Sequence, residues 1–218
     1  MVPEKQKRIK DQVSTYITKL LNRLNSRDKI LAAVKKNQPP QQILPGLETL
    51  GKKGAGDVAQ FTTVFTNIGG KIYEVDSYET VIKTVQEQFP TAWKVATPIE
   101  ELDEIANVDL NGFNDPHALQ TVDLAILQPQ FGVAENGAVW LSETDMKVRV
   151  LPFICQHLAV VLQAKQLVPT MHEAYTRIGD KQYGFGAFIA GPSKTADIEQ
   201  SLVLGAHGPK SMTLFLFP

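Results

Sequence analysis

The chain has 218 residues, 43% of them hydrophobic and 21% charged, with 15 glycines and 13 prolines. That is globular composition, long enough for one large α/β domain with its own core. The formal net charge of −1 supplies no field to recruit nucleic acid or an anionic membrane, and no apolar run approaches the roughly 20 residues that span a bilayer.

The opening residues, Met1 to Val13, carry positive charge but no apolar centre. They do not read as a signal peptide, and a cytoplasmic protein is expected. The single cysteine, Cys155, excludes an internal disulfide and fits a reducing compartment. One thiol also cannot furnish the several thiolates of an iron–sulfur cluster, so no cofactor of that kind is expected in this chain.

In chain order, residues up to about Asn37 are helical by period. Ile9, Val13, Ile17, Leu20 and Leu24 recur at i, i+3/i+4 spacing on one face. Asn25-Ser26 offers a break, with Ser26 as the cap of a second helix. The prolines of "NQPPQQILPG" stop the helix. The division is therefore residues 1–40 as an N-terminal helical extension and residues 41–218 as an α/β domain. The extension either packs on its own domain or serves a homodimer.

Strands and helices then alternate. Asp57 caps a helix closed by Gly69-Gly70. "KIYEV" is a strand, and Asp76 with Glu79 starts a helix to Gln88. "AWKVA" is a strand, and Thr97, Pro98 and Glu100 begin a helix. Asp115-Pro116 opens a short helix before the buried strand "TVDLAILQP". "GAVWLS" and "HLAVVLQ" are strands flanking a proline-limited segment near Val148–Phe153. Thr170 with Glu173 starts a helix that ends at Gly179. "GFGAFIA" is a strand, Ser193–Leu204 a helix closed by Gly205, and "MTLFLFP" the last strand. This alternation predicts a layered, mainly parallel sheet with helices on both faces, plus the N-terminal arm.

Open sheets of this kind bind ligands beyond the carboxyl ends of their strands. Gly191, Ser193, Lys194 and Thr195 stand where a strand is expected to turn into a helix. Free amides, the helix dipole, two hydroxyls and one ammonium would there meet an anion. Asp197 and Glu199 lie in the first turns, about 200° apart around the helix, so only one can face a ligand. Asp197 shares a face with Ser201. The alternative is a plain cap in which the acids complement the dipole.

Two nucleotide motifs are rejected. "GPSKT" lacks the spacing of a phosphate loop, and "GAGDVA" follows no buried strand. Glu135-Asn136-Gly137 precede an apolar strand. Glu135 is either a nucleophile or a solvated residue in a tight turn, the turn being slightly favoured. No histidine stands at metal-ligand spacing, so no metal site is expected. His207, in the loop "GAHGP", is the one histidine weighed for acid/base work. Cys155 reads as inert core.

"GPSKTADIEQSLVLGAHGP" followed by "SMTLFLFP" closely resembles the C-terminal signature of the LUD-domain, lactate-utilization protein C family. "GVAENGAVWLS" and "LAVVLQAKQLVPTMHEA" resemble its middle section, and the resemblance covers roughly Ser26 to Pro218. It implies a fold like the NagB/RpiA/CoA-transferase group. It further implies a part in oxidising L-lactate to pyruvate in bacterial cytoplasm, with two iron–sulfur proteins as partners that hold the clusters. From the residues themselves, the ligand at the 191–195 turn would be a small carboxylate or an anionic group of a cofactor, with Glu135, His207 and Asp197 as the chemical residues and Gly191, Ser193, Lys194, Thr195 and Asn136 as the binding ones. Asn136 departs from the threonine usual in the family. The resulting A-E-N-G resembles the S-E-N-G of class I CoA-transferases, which makes a CoA-transferase-like or sugar-phosphate-isomerase-like enzyme using Glu135 the alternative. A non-catalytic interaction subunit is the third reading. The catalytic step of the chain itself stays open at this stage.

Overall fold

The structure is a computed structural model that describes residues 4–43, 46, 56–89, 93–111, 115–196 and 202–218. The chain divides into two units, Met1–Gly46 and Leu47–Pro218.

The first unit is α1, a single helix over Glu4–Lys36. The expected break at Asn25-Ser26 does not occur. Ser26 lies inside the helix, and the run ends only where Gln38 leads into Pro39-Pro40, residues that cannot continue the ladder.

The second unit starts with α2 (Val58–Asn67). Its Asp57 cap accepts the amides of Ala59 and Gln60 at 2.8 and 3.2 Å, as the sequence predicts. Then come β1 (Gly70–Glu74), α3 (Tyr78–Gln88), β2 (Val95–Ala96), a 3-10 segment (Glu100–Ile105) and another (Pro116–Thr121). Ser77 rather than Asp76 caps α3, its hydroxyl accepting the Thr80 amide. β3 (Leu124–Leu127), β4 (Phe131–Val133), β5 (Ala138–Ser142), α4 (Glu143–Met146), α5 (Leu151–Ile154), β6 (His157–Gln163), β7 (Leu167–Val168), α6 (Met171–Ile178) and β8 (Gly186–Ile189) follow. The chain closes with β9 (Lys194–Ala196), β10 (Leu202–Leu204) and β11 (Ser211–Phe217).

β1, β11, β6, β3 and β2 form, in that order, a five-stranded sheet in which every neighbour is parallel. Both of its faces are covered. Leu158, Val160 and Leu162 of β6 alternate with Ala159 and Val161. The first set joins Phe61 and Phe65 of α2, and the second joins Val81 and Val85 of α3. Burying side chains of this size stabilises by about 1.5–3 kcal/mol each. The tightest approach is at the start of β1. Gly70 lies so close under the Phe65 ring that a Cβ there would overlap it. The sequence-predicted α/β architecture, with its mainly parallel sheet and covering helices, is the observed one.

Two features differ from expectation. β7, β4, β5 and β8 make a second sheet whose β4–β5 and β5–β8 pairs are antiparallel. It is sealed by Phe131, Trp140 and Phe188. The helix expected over Ser193–Leu204 is also not formed by the described residues. β9 and β10 pair antiparallel instead, with Thr195 opposite Val203 and Lys194 opposite Leu204. β-branched residues suit that pleated pairing better than a helix.

Candidate functional site

The first group to place is the one around Gly191. Gly191 has a φ of 71°, and a Cβ there would come 2.9 Å from the Ile68 carbonyl. The Ser193 amide donates to the Pro209 carbonyl at 2.8 Å, and the Ser193 carbonyl accepts the Gly205 amide at 3.1 Å. With a hairpin in place of a helix, there is no helix dipole at Lys194 and Thr195, and the Ser193 amide is already occupied. What is corrected here is the helix expected after Ser193, and with it the helix dipole at this turn. His207 is exposed in the adjoining loop, where Gly208 approaches the Ser193 side chain. Asp197 lies outside the described residues.

This cluster also lies at the wrong end of the sheet for a switch-point site. Ile68-Gly69 lead into β1, and Pro209-Lys210 lead into β11, so the cluster borders the amino ends of the parallel strands. Ligands of open α/β sheets sit at the carboxyl ends.

Glu135 and Asn136 form the turn between β4 and β5. Gly137, at a φ of 69°, donates its amide to Val133 O at 2.9 Å, and Asn136 Oδ1 accepts the Ala138 amide at 3.0 Å. Glu135 Oε2 accepts the Met171 amide at 2.8 Å, at the first residue of α6. Gly137 and Gly191 both close on Ile68, so the structure brings these two turns together. One oxygen of the Glu135 carboxylate thus serves a helix end, on an otherwise exposed side chain.

A different cleft lies beyond the carboxyl end of β2. It measures about 450 Å³ and is lined by Thr97, Asp103, Asp109, Asn111, Thr144 and Lys147 among others. The sequence builds it from two separate stretches. Asn107 accepts the Val95 amide and donates to the Trp93 carbonyl, which holds the 106–111 loop along the open edge of β2. Asp109 Oδ1 accepts both the backbone and side-chain N–H of Asn111, at 2.8 and 2.9 Å. Opposite, a capping box between Ser142 and Asp145 fixes α4.

α4 ends in a strained turn. Lys147 has φ 60° and ψ −50°, and is the one non-glycine residue with positive φ among the described residues. The Val148 amide donates to the Met146 carbonyl at 2.6 Å, closing a γ-turn of the rare positive-φ kind around Lys147. Met146 is fully buried, so the turn presents Lys147 at the cleft while its neighbour is anchored in the core. Lys147 forms no ion pair within 4 Å among the described residues. Such backbone costs about 1–3 kcal/mol and collects at functional sites. The cleft offers an ammonium for a carboxylate, and hydroxyl, amide and carboxylate groups for a hydroxyl or carbonyl.

Comparison with known proteins fits this architecture. Residues 114–217 match the family described as LUD domain. Over this stretch, just under half of its length, the chain is similar to LUD-domain proteins. It is 33% identical over 91 residues to a lactate utilization protein C from Bacillus pumilus; that match covers 39% of this chain and 38% of the relative. A lactate utilization protein C from Halalkalibacterium halodurans is 23% identical over 89% of this chain and 93% of its own length. A crystal structure of a DUF162 family protein from Deinococcus radiodurans superposes with a TM-score of 0.52 at 17% identity, over 74% of this chain and 96% of that one.

Thr144 and Lys147 belong to the matched LUD region, whereas Thr97 to Asn111 precede it. The site is therefore completed by a segment in front of the LUD match. Sequence reading did not find Lys147 or Asp109. Positive φ is signalled by glycine or asparagine, not by lysine.

Two further groups are placed by the fold. Burial pushes the Cys155 thiol up to about 12, which removes it as a nucleophile. Among the described residues no group of three or more His, Cys, Asp or Glu could hold a metal, and no helix is long and apolar enough to cross a membrane.

Proposed function

We propose that the chain is a cytoplasmic component of a lactate-utilization system and that it takes a small 2-hydroxy or 2-oxo carboxylate in the cleft at Lys147. The names of its relatives support the pathway. The observation that carries the site is Lys147 itself, a cation held in a strained γ-turn at the carboxyl edge of the parallel sheet. The ammonium pairs with the ligand carboxylate. Thr97, Asn111 and Thr144 recognise the adjacent hydroxyl or carbonyl oxygen, and Asp103 and Asp109 accept a hydroxyl proton's hydrogen bond while disfavouring dianions. Oxidation of L-lactate to pyruvate would send its electrons to iron–sulfur partner proteins. The lone, buried Cys155 gives this chain no thiolate set for a cluster of its own.

Calorimetric titration with L-lactate and with pyruvate tests the reading, on the parent protein and on Lys147→Met. The parent is expected to bind at least one of the two saturably, and the variant at least tenfold more weakly. Equal affinity in both proteins, or no heat in the parent, overturns it.

A further inference from the structure

α1 carries an apolar stripe with a strict repeat. Val13, Ile17, Leu20, Leu24, Arg27, Leu31 and Val34 follow one another at alternating spacings of four and three residues. An ordinary amphipathic helix keeps a 3.6-residue period and drifts off such a pattern. A sustained 3.5-residue period is the requirement of a helix that supercoils with another helix. Of these residues Val13, Ile17, Leu31 and Val34 are about half exposed (51, 50, 49 and 56%), and the flanking Tyr16 and Ile30 are more exposed still. A helix of 33 residues with that much apolar surface in water is short of a partner.

The one polar member of the stripe says which partner. With Ile17, Leu24 and Leu31 at position a of the heptad, Arg27 falls at d and Asp28 at e. In a parallel pair, a d side chain packs against the d and e residues of the facing helix. Arg27 of one copy then lies beside Asp28 of the other, so that two arginines and two aspartates alternate around one layer. Within a single chain these two groups are 3.9 Å apart and largely exposed, free to exchange that weak contact for the crossed one. An antiparallel pair that matches the apolar layers sets Arg27 against an aliphatic residue, Ile17 or Leu24, instead of bringing the two arginines into one layer.

We propose that α1 is a dimerisation helix that forms a parallel two-stranded coiled coil with α1 of a second copy, its register set by the Arg27–Asp28 layer. A single charged residue in an otherwise apolar seam lowers stability and fixes register.

The experiment uses the full chain. Sedimentation equilibrium at micromolar concentration is expected to give twice the mass of one chain. Ile17→Asp with Leu31→Asp is expected to give the single-chain mass, with the near-ultraviolet dichroism of Trp93 and Trp140 unchanged. Arg27→Leu is expected to dissociate at least tenfold less readily than the parent. Ile17→Cys and Leu31→Cys, each facing its own counterpart in a parallel seam, are expected to cross-link to covalent dimers on mild oxidation. A monomeric parent overturns the proposal, as does a dimer that survives both aspartates. A parent dimer in which neither a-position cysteine cross-links overturns the parallel seam. Should the aspartate variant fail to fold, the cross-linking of the two cysteine variants and the tightening by Arg27→Leu still decide, each by its presence or absence.

Discussion

The carboxylate of Glu135 closes the amino end of α6 by accepting the Met171 amide at 2.8 Å. This links the β4–β5 turn to a helix 36 residues further on and gives Glu135 a structural task. Glu135→Ala is expected to cost about 1 kcal/mol, as for a lost helix cap, which is about 2–4 °C in Tm for a chain of this size. Incubation with a panel of acyl-CoAs followed by hydroxylamine and mass spectrometry is expected to show no adduct at Glu135. An acyl-glutamate there would return the nucleophile reading.

Lys147 separates stability from function. Glycine adopts positive φ at no steric cost, so Lys147→Gly relieves the turn. Thermal unfolding is expected to show a more stable protein, by about 1 kcal/mol, that has lost carboxylate binding. A destabilised Lys147→Gly protein would mean that the lysine side chain is a packing element and not a group held in readiness.

Between pH 8 and pH 5 the pH dependence of stability has an identifiable source at His157. Burial, with the Lys210 ammonium nearby, holds its pKa below the ordinary 6.5, against the opposing pull of Asp123. Its Nδ1 lies 2.6 Å from the Ser211 hydroxyl, and its ring stacks on Trp93 at 4.7 Å. The unfolded chain therefore takes up a proton at a higher pH than the folded one. The stability from this group is complete above pH 6.5 and declines as the pH falls from there to the lowered folded value. Melting temperatures measured between pH 8 and pH 5 are expected to fall less steeply for His157→Gln than for the parent. An equal slope would assign the acid sensitivity elsewhere.

Cys155 is expected to be silent in the folded protein. With its thiol pushed up to about 12 and its side chain 2% exposed, alkylation at pH 8 requires unfolding. Iodoacetamide labelling followed by mass spectrometry is expected to modify Cys155 only in denaturant. Rapid labelling of the native chain would show that the α5–β6 junction opens.

Much of the fold was legible because its signals are local. Asp57 and Thr170 cap the helices predicted for them, and the buried runs of β3, β6 and β11 are the strands of the parallel sheet. The Asn136-Gly137 turn was the slightly favoured of two readings, and its Asx bond and positive φ are short-range chemistry. The misread residues are 193–196 and 202–204, on either side of residues outside the described set. They satisfy a helical period, but their backbone partners, Gly205 and Pro209 for Ser193, lie beyond any window that tests period alone. The candidate site was hidden for a related reason. Thr97 and Asp109 come from one side of β2 and Lys147 from a turn after β5, so only strand order brings them together. The family resemblance was carried by motifs around 135 and 191, which meet at Ile68 near the amino edge, and so it directed attention away from the cleft.

The central claim is that a small carboxylate is held by Lys147 at the carboxyl edge of the sheet. A crystal of the full chain soaked with pyruvate tests it most directly. The account predicts density for the ligand with a carboxylate oxygen within about 3 Å of Lys147 Nζ and its carbonyl oxygen facing Thr97 or Asn111. Pyruvate bound instead beside Ser193 and His207, with the Lys147 cleft holding solvent alone, would contradict it.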